Sequence, residues 1–308
     1  MKIIFFGSSA FSVPPLKSIR EHITCVVTKR SKPKGRGYIL DDNEVKRAAL
    51  ELGLPLIEIN SFKDEEAQRI KEYDPELFVV ASFGLIVPRW VLDLPAIGPV
   101  NVHPSLLPLY RGPSPMQWAI LNGDEETGIT LIIMNEKMDE GRIIYQERVS
   151  IKKGENMIDL SDRLSARVAE ILPEIVRRIG TEGMPEGSDQ RHEDATYTPI
   201  ITKEMGRIDW SKGAIEIERQ VRAFVLWPTA YTSLDGRMMK IFDAEAEEGI
   251  MQGETGQGVV TGITKEGFFV ATAKGLLNVR EVQLENKKRM RAYDFAQGYR
   301  GLVGKTLK

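Results

Sequence analysis

The sequence predicts an α/β fold in which a mostly parallel sheet domain is followed by a smaller β-barrel domain. The length of 308 residues suits two domains of roughly 100–200 residues each. Over about the first 180 residues, short apolar runs alternate with amphipathic segments, which is typical of a parallel sheet covered by helices on both faces. Later in the chain, short strand-like runs follow one another with turns between them, as in a small barrel.

The apolar runs of the first part define its predicted elements. Five of them are predicted strands: Ile3–Phe6, Ile23–Val27, Leu77–Ala81, Pro99–Val102 and Thr130–Met134. Helical patterns lie around Leu16–Arg20, Glu44–Leu52, Lys63–Tyr73, Arg89–Leu92 and Met116–Leu121. A long amphipathic helix is predicted at Met157–Ile179, because its apolar residues form one stripe. Folds of this kind bind their ligands at the carboxyl ends of the strands.

A change in composition marks the predicted domain boundary. Residues 180–194 are rich in Gly, Glu, Asp and Pro, which is typical of a connection. We therefore predict a first domain at residues 1–190, a linker at 191–205 and a second domain at 206–308. The second domain is predicted to contain helices at Ala214–Phe224 and near Ala292–Tyr299, and strands at Ala230–Leu234, Met238–Phe242, Gly258–Thr264, Gly267–Ala273 and Leu276–Val282.

Composition excludes several classes of protein. The formal net charge is −2, so an anionic partner must be met by a local basic patch. The single cysteine, Cys25, excludes a disulfide within the chain and a cysteine-rich metal site. No stretch approaches the ~20 apolar residues of a membrane span, and the first apolar run is too short for a secretion signal. We therefore predict a cytoplasmic protein without a membrane partner.

The turn after the first predicted strand lacks the glycines of a dinucleotide site. The fingerprint G-x-G-x-x-G needs three glycines there, whereas the chain reads Gly7-Ser-Ser-Ala-Phe-Ser12. Only Gly7 fits this pattern. Bound NAD is therefore not expected, and Gly7 is interpreted as a residue that permits a tight turn.

Asn101 and His103 are predicted to end a strand with their side chains on one face, because residues two apart along a strand point the same way. An amide beside an imidazole suits oxyanion stabilisation and proton handling. Four prolines between positions 104 and 115 stiffen the following loop as a wall for a ligand. The alternative is a structural, hydrogen-bonded histidine, and the remaining histidines, His22 and His192, are predicted to be surface residues.

Asp139 follows the apolar run Ile129–Met134 and is a candidate catalytic carboxylate. A carboxylate in this position can orient a histidine or accept a proton through water. We expect it to lie beside Asn101 and His103, because a parallel sheet brings adjacent strand ends together. The alternative is an aspartate that begins the turn before Gly141.

Two basic runs lie in predicted loops of a slightly acidic chain. The second run, Lys287 to Arg291, precedes the last predicted helix. Such loops can contact phosphates, and small barrels often bind oligonucleotides. The alternative is a pair of solvated charged loops. The cations of the first run are Lys29, Arg30, Lys32, Lys34 and Arg36.

Two motifs resemble the signature of the folate-dependent formyltransferases. They are Asn101-Val-His103-x-Ser105-Leu-Leu-Pro108-x-Tyr-Arg111-Gly112 and Met138-Asp139-x-Gly141. The resemblance extends over essentially the whole chain, and its narrower form is to the methionyl-tRNA formyltransferases. It implies a Rossmann-like catalytic domain followed by an OB-like barrel that contacts tRNA. The segments that carry the narrower resemblance are Phe6–Pro14, Gly35–Gly37, Arg207–Trp210 and Arg222–Pro228.

The resemblance implies that a formyl group passes from 10-formyltetrahydrofolate to the α-amine of methionyl initiator tRNA for translation initiation. It assigns catalysis to Asn101, His103 and Asp139, with no metal and no NAD, in a chain that is expected to be a monomer. Folate contacts are expected at Ser105, Leu106, Leu107, Pro108, Phe83, Gly84, Leu85, Ile86 and Val87. Contacts with tRNA are expected at Lys32, Lys34, Arg36, Lys287, Lys288 and Arg289.

Four alternatives stay open at this point. The closest is a folate-dependent formyltransferase that acts on an amino sugar nucleotide, which the Gly35-Arg36-Gly37 loop disfavours. A hydrolase of formylfolate would use water in place of the amine. A non-catalytic RNA-binding protein is disfavoured by polar residues at strand ends, and an NAD-dependent dehydrogenase by Ser9 and Ser12.

Overall fold

The computed structural model describes residues 1–34, 39–247 and 256–308, and for residues 32–34 and 39–41 it describes the backbone alone. Arg36 lies outside these ranges, and so do the side chains of Lys32 and Lys34. The described chain forms two compact units. The first comprises residues 1–115, 126–150 and 161–198, and the second comprises 116–125, 151–160 and 199–308.

A seven-stranded sheet forms the centre of the first unit, in the order β5-β2-β1-β6-β7-β8-β9. Five neighbouring strands, from β5 to β7, are parallel. Every residue of β1 and β6 is buried, which explains why their sequences are continuously apolar. The strands are β1 (Ile3–Gly7), β2 (Ile23–Lys29), β3 (Lys32–Lys34), β4 (Ile39–Asp41), β5 (Leu56–Ile59), β6 (Leu77–Ala81), β7 (Gly98–His103), β8 (Glu126–Ile133) and β9 (Ile143–Ser150). The short strands β3 and β4 pair only with each other.

The strand β8 runs antiparallel to β7, and this corrects the reason given for expecting Asp139 beside β7. Asn101 pairs with Ile132 and Val100 with Ile133, so the carboxyl end of β8 lies beside the start of β7. The strands β8 and β9, joined by the short connection 134–142, form an antiparallel pair on the edge of the sheet. Asp139 therefore reaches β7 through the loop that joins β8 to β9.

Five strands and one helix type differ from the sequence prediction. The pattern did not reveal β3, β4, β5, β9 or β15: four of these have only two to four residues, and β9 has no continuous apolar run beyond its first three residues. Residues Glu65–Tyr73 form a 3₁₀ helix where an α-helix pattern is predicted. Its buried residues, Ala67 and Ile70, are three apart, which matches the three residues per turn of a 3₁₀ helix.

Helices cover the central sheet and flank the second unit. Asn43 caps α2, since its side chain accepts a hydrogen bond from the backbone N–H of Lys46. No helix within the described ranges is both long and apolar enough to cross a membrane. The α-helices are α1 (Val13–Ser18), α2 (Glu44–Glu51), α3 (Arg89–Leu92), α4 (Pro115–Asn122), α5 (Met157–Glu182), α6 (Ala214–Ala223) and α7 (Ala292–Gly298).

The second unit contains an antiparallel sheet in the order β10-β11-β14-β13-β12, with β15 paired to β14. Residues 302–308 lie between its two edges: Lys308 pairs with Ser233 of β10, and Val260 of β12 bonds to Lys305. This closure gives the sheet a barrel-like form, so the predicted fold class is confirmed. The strands are β10 (Ala230–Leu234), β11 (Arg237–Glu247), β12 (Val260–Ile263), β13 (Phe268–Ala271), β14 (Leu276–Leu284) and β15 (Met290–Arg291).

Candidate active site

Strand β7 presents Asn101 and His103 on one face of the sheet, as the spacing of two predicts. His103 is almost fully buried, with 4% of its surface exposed, whereas Asn101 is half-buried. The amide of Asn101 is thus accessible from the site, while the imidazole is held inside it. The two residues pair across the sheet with Ile132 and Thr130 of β8.

Asp139 lies beside both residues. Its Oδ1 accepts a hydrogen bond from Asn101 Nδ2 at 3.3 Å, and its Oδ2 lies 3.6 Å from His103 Nδ1. Oδ2 also accepts the backbone N–H of Gly112 at 2.8 Å. The predicted convergence of an amide, an imidazole and a carboxylate is therefore present in the structure.

A sharp turn delivers the Asp139 carboxylate. Asp139 has a φ of +54°, in the left-handed region that non-glycine residues seldom adopt. Two residues later, a Cβ on Gly141 would collide with the carbonyl oxygen of Ile133. The glycine is required by close approach of backbone, which explains the Asp-x-Gly spacing in the sequence.

The hydrogen bonds of His103 define its tautomer. Nε2 lies 2.9 Å from the carbonyl oxygen of Tyr110, which can only accept, so Nε2 carries a proton. Nδ1 faces the Asp139 carboxylate. In the imidazolium form both nitrogens would donate, one to the carbonyl and one toward the carboxylate, and this arrangement suits a histidine that moves or holds a proton.

The loop from Ser105 to Pro108 is fixed by internal hydrogen bonds. Ser105 is fully buried, and its Oγ donates to the carbonyl of Leu109 at 2.6 Å. The hydroxyl of Thr130 donates to the Ser105 carbonyl and accepts the Leu107 N–H. The side chains of Ser105 and Leu107 are therefore buried in the protein. Their expected folate contacts stay predictions, and such contacts would involve the backbone of the loop rather than these side chains. Leu106 and Pro108 are half-buried.

The second expected folate loop, Phe83 to Val87, combines core and exposed residues. Phe83 is buried and packs edge-on against Phe6, with ring centroids 5.4 Å apart. Val87 is buried as well, whereas Ile86 is 76% exposed. Phe83 and Val87 thus anchor the loop, and the accessible surface is formed by Gly84 to Ile86.

Arg111 anchors a segment whose importance the sequence did not reveal. It is fully buried, and it bonds to Gln190 and Tyr197 through its guanidinium group. Its backbone exchanges hydrogen bonds with Thr196 and Thr198. We call residues 190–198 the strap. Part of the strap falls in the predicted linker, but the structure places all of it in the first unit.

A buried arginine needs several hydrogen-bond acceptors. The arginine of the motif was therefore the one feature of the sequence from which partners elsewhere in the chain could have been inferred. The sequence gives no indication of which distant residues supply them. His192 is exposed, as predicted, although its Nδ1 lies 3.2 Å from Arg111 Nη2.

The second basic run is exposed in the structure. Lys287, Lys288 and Arg289 are all exposed. Arg289 pairs with Glu281 and lies over the ring of Phe242, 4.2 Å from its centroid. Two exposed lysines and a partly engaged arginine therefore form this basic patch.

Among the described residues, no group of three or more His, Cys, Asp or Glu side chains is placed to hold a metal.

A Cβ on Gly7 would lie 2.7 Å from the Cβ of Ser12, so the turn after β1 also needs glycine for close approach.

Comparison with known families decides the classification. A family model described as Formyl transferase matches residues 1–176. A second model, described as Formyl transferase, C-terminal domain, matches residues 200–300. The chain belongs to the formyl transferase family. The Asn101, His103 and Asp139 cluster lies within the first match.

Full-length relatives support this assignment. The chain is 39% identical to a methionyl-tRNA formyltransferase of Agathobacter rectalis, over 97% of this chain and 96% of the relative. It is 38% identical to a methionyl-tRNA formyltransferase of Caldanaerobacter subterraneus subsp. tengcongensis, over the full length of both proteins. The family assignment therefore covers both units.

A solved structure shares the fold. HypX from Aquifex aeolicus in complex with tetrahydrofolic acid superposes with a TM-score of 0.69 and 17% identity. The match covers 98% of this chain and 48% of HypX. At this identity, the likeness shows that the two proteins share a fold.

Proposed function

We propose that this chain transfers the formyl group of 10-formyltetrahydrofolate to the α-amine of methionyl initiator tRNA. The observation that carries the proposal is the convergence of Asn101, His103 and Asp139 in one half-buried site. The names of the full-length relatives support methionyl-tRNA as the acceptor. The tetrahydrofolic acid named in the HypX complex supports a folate as the donor.

The proposed chemistry follows from the hydrogen-bonding capacity of the three side chains. Attack of the amine on the formyl carbon places negative charge on the formyl oxygen. Asn101 uses one amide N–H toward Asp139, and its other N–H is suited to that oxyanion. Asp139, directly or through water, accepts the proton that the amine loses, and His103 stabilises the carboxylate next to it. Collapse of the intermediate breaks the bond between the formyl carbon and N10 of the folate, and the proton passes from Asp139 to that nitrogen, which leaves as tetrahydrofolate.

The binding surfaces are proposed from exposure and charge. The exposed part of the Gly84 to Ile86 loop offers an apolar wall for the donor. Lys287 and Lys288 are free to approach the phosphates of the acceptor from the second unit, and Lys32, Lys34 and Arg36 are proposed as a second contact. A cytoplasmic location and a monomeric state stay predictions from the sequence.

The test is an assay of the purified chain with 10-formyltetrahydrofolate and methionyl initiator tRNA, with N-formylmethionine measured by mass spectrometry. Formylation is expected for the wild type. Asn101→Ala should lower kcat by about 10²–10³, because it removes one oxyanion donor, and Asp139→Ala should also abolish most turnover while melting normally.

Two parallel reactions separate the alternatives. An amino sugar nucleotide replaces the tRNA in one, and no acceptor is added in the other. Formylation of the sugar alone, or release of formate without an acceptor, would contradict the proposed acceptor. Near-normal turnover in both variants would refute the proposed catalytic residues.

A further inference from the structure

The strap lies outside both family matches, which cover residues 1–176 and 200–300, yet it borders the catalytic cluster. It contacts two parts of the site. Arg111 stands next to Gly112, whose N–H bonds to Asp139, and Gln190 contacts the turn that contains Asp139. The contacts of the strap therefore help to fix the position of the Asp139 carboxylate.

Arg111 has an acceptor for each of its five guanidinium N–H groups. Nε and Nη2 donate to Gln190 Oε1 at 3.0 and 2.8 Å. Nη1 lies 3.0 Å from the Tyr197 hydroxyl and 3.4 Å from the Glu140 carboxylate, and Nη2 lies 3.2 Å from His192 Nδ1. A buried cation with this complete set of partners is held in one orientation.

Glu140 supplies the charge that balances this cation. Desolvation acts to raise the pKa of Glu140, but Lys137 and Arg111 outweigh it and hold that pKa below its ordinary value. Glu140 is therefore ionised near neutral pH. Because it directly follows Asp139, its pairing with Arg111 ties the same turn to the buried guanidinium.

Gln190 joins Arg111 to the backbone of that turn. Its Nε2 donates to the carbonyl oxygen of Asp139 at 2.7 Å and to that of Gly141 at 2.8 Å. Its Oε1 accepts from Arg111. The amide cannot be reversed, because reversal would set its oxygen against two carbonyls and its N–H groups against a cation.

We infer that Gln190 is a positioning residue for formyl transfer, which holds the Asp139 turn through its amide nitrogen. The left-handed φ of Asp139 needs support from its surroundings, and the two bonds from Gln190 hold the carbonyl groups of Asp139 and Gly141, the residues before and after Glu140. The inference rests on the proposed function, since it acts through the carboxylate assigned to proton transfer.

The decisive variant is Gln190→Glu. It keeps the shape and the acceptor for Arg111, but it replaces the amide donors with an oxygen that repels the Asp139 and Gly141 carbonyls. We expect kcat to fall at least about tenfold, because small displacements of a catalytic group are costly. The KM for the donor should stay within about twofold, since the pair with Arg111 is retained. The variant should still unfold cooperatively, at a lower melting temperature than the wild type, because two buried hydrogen bonds are lost.

Asp189→Asn provides the matched control. It is the reverse exchange of carboxylate and amide at the adjacent position, where Asp189 is exposed and pairs with Arg142. Activity should stay at the wild-type level. A similar loss of kcat in both variants would assign the effect to general disturbance of the strap and overturn the inference.

A double-mutant cycle with Asp139→Asn tests the route of the effect. If Gln190 acts through the Asp139 carboxylate, adding Gln190→Glu to Asp139→Asn should change the residual single-turnover rate by less than about twofold. If the two substitutions instead act independently, so that their fold losses in single-turnover rate multiply in the double variant, the inference is contradicted. If Gln190→Glu does not fold, Gln190→Met, which has no donor and a similar length, enters the same cycle with the same expectation.

The outcomes also separate this inference from the function on which it rests. Absence of formyl transfer to tRNA by the wild type would refute the proposed function. An active wild type with unchanged kcat in a folded Gln190→Glu or Gln190→Met variant would refute the positioning role alone.

Discussion

At the residue scale, the buried thiol of Cys25 makes the free energy of unfolding depend on pH. Cys25 is fully buried in β2, and burial raises the pKa of its thiol to about 11 from the ordinary value of 9.0, against smaller opposing effects of Tyr73 and Arg69. The thiolate is thus excluded from the folded interior. In the unfolded chain, in contrast, the Cys25 thiol ionises near the ordinary pKa of a cysteine.

We predict that the free energy of unfolding falls as pH rises through the interval from 9 to 11. Full stabilisation is present below the unfolded pKa, and a difference of about two pKa units corresponds to a loss of up to ~2.7 kcal/mol at higher pH. Urea unfolding of the wild type and Cys25→Ala between pH 8 and 11 measures it. Parallel pH dependences in the two proteins would show that Cys25 does not contribute.

Single residues also show how far the sequence determines the site. The spacing of Asn101 and His103 predicted their shared face, because the period of a strand depends on local geometry alone. Gln190 could not be predicted, since its partner Arg111 is 79 positions away and nothing local encodes the pairing. The convergence of Asn101, His103 and Asp139 was therefore predictable from motifs, whereas the residues that support it could be found only from the three-dimensional fold.

At the element scale, the hairpin of β8 and β9 explains both a success and an error. The apolar run before Asp139 correctly indicated β8, but its direction relative to β7 is opposite to the expected one. Strand direction depends on the connection between strands, and no local pattern in residues 104–125 encodes the end of the sheet to which that connection returns. The edge strand β9 begins with three apolar residues, but the polar residues Gln146, Glu147 and Arg148 follow, so it has no continuous apolar run.

The start of α2 allows a prediction at this scale. Asn43 Oδ1 accepts the Lys46 N–H at 2.9 Å, and its Nδ2 donates to the Lys29 carbonyl at 2.8 Å, so one side chain caps the helix and ties it to β2. Asn43→Ala should cost about 2 kcal/mol, about half from the cap and about half from the lost bond to β2.

Urea unfolding measures this cost, with Asn43→Asp as the matched variant. Aspartate keeps the capping oxygen and sets its second oxygen against the Lys29 carbonyl, so the cost of this variant comes from the contact with β2 and not from loss of the cap. A value for Asn43→Ala within about 0.3 kcal/mol of the wild type would contradict a capping role.

At the scale of the whole molecule, the two units solve the problem of sheet edges differently. One edge of the first sheet is β9, whose second half carries the polar residues Gln146, Glu147 and Arg148. The second unit covers its edges β10 and β12 with residues 302–308. Leu302 and Leu307 of this segment are buried in the core of the second unit.

Deletion of residues 302–308 should therefore loosen the second unit. Burial of two leucines accounts for about 3–6 kcal/mol, and the loss exposes backbone groups of β10 and β12. Hydrogen exchange should accelerate in β10 and β12 and stay slow in β1 and β6. Val303→Ala is the control, because Val303 is half exposed. Unchanged protection of β10 and β12 would refute the closing role of the segment.

The strap has a consequence for the order in which a nascent chain becomes competent. All strands of the first sheet are complete once residue 150 has been synthesised. The acceptors for the Arg111 guanidinium include Gln190, His192 and Tyr197, which leave the ribosome later. Until then, a cation that is buried in the finished protein has incomplete pairing. The strands of the sheet are therefore all available before the Asp139 turn can acquire its full set of supports, which is complete only after the strap has emerged.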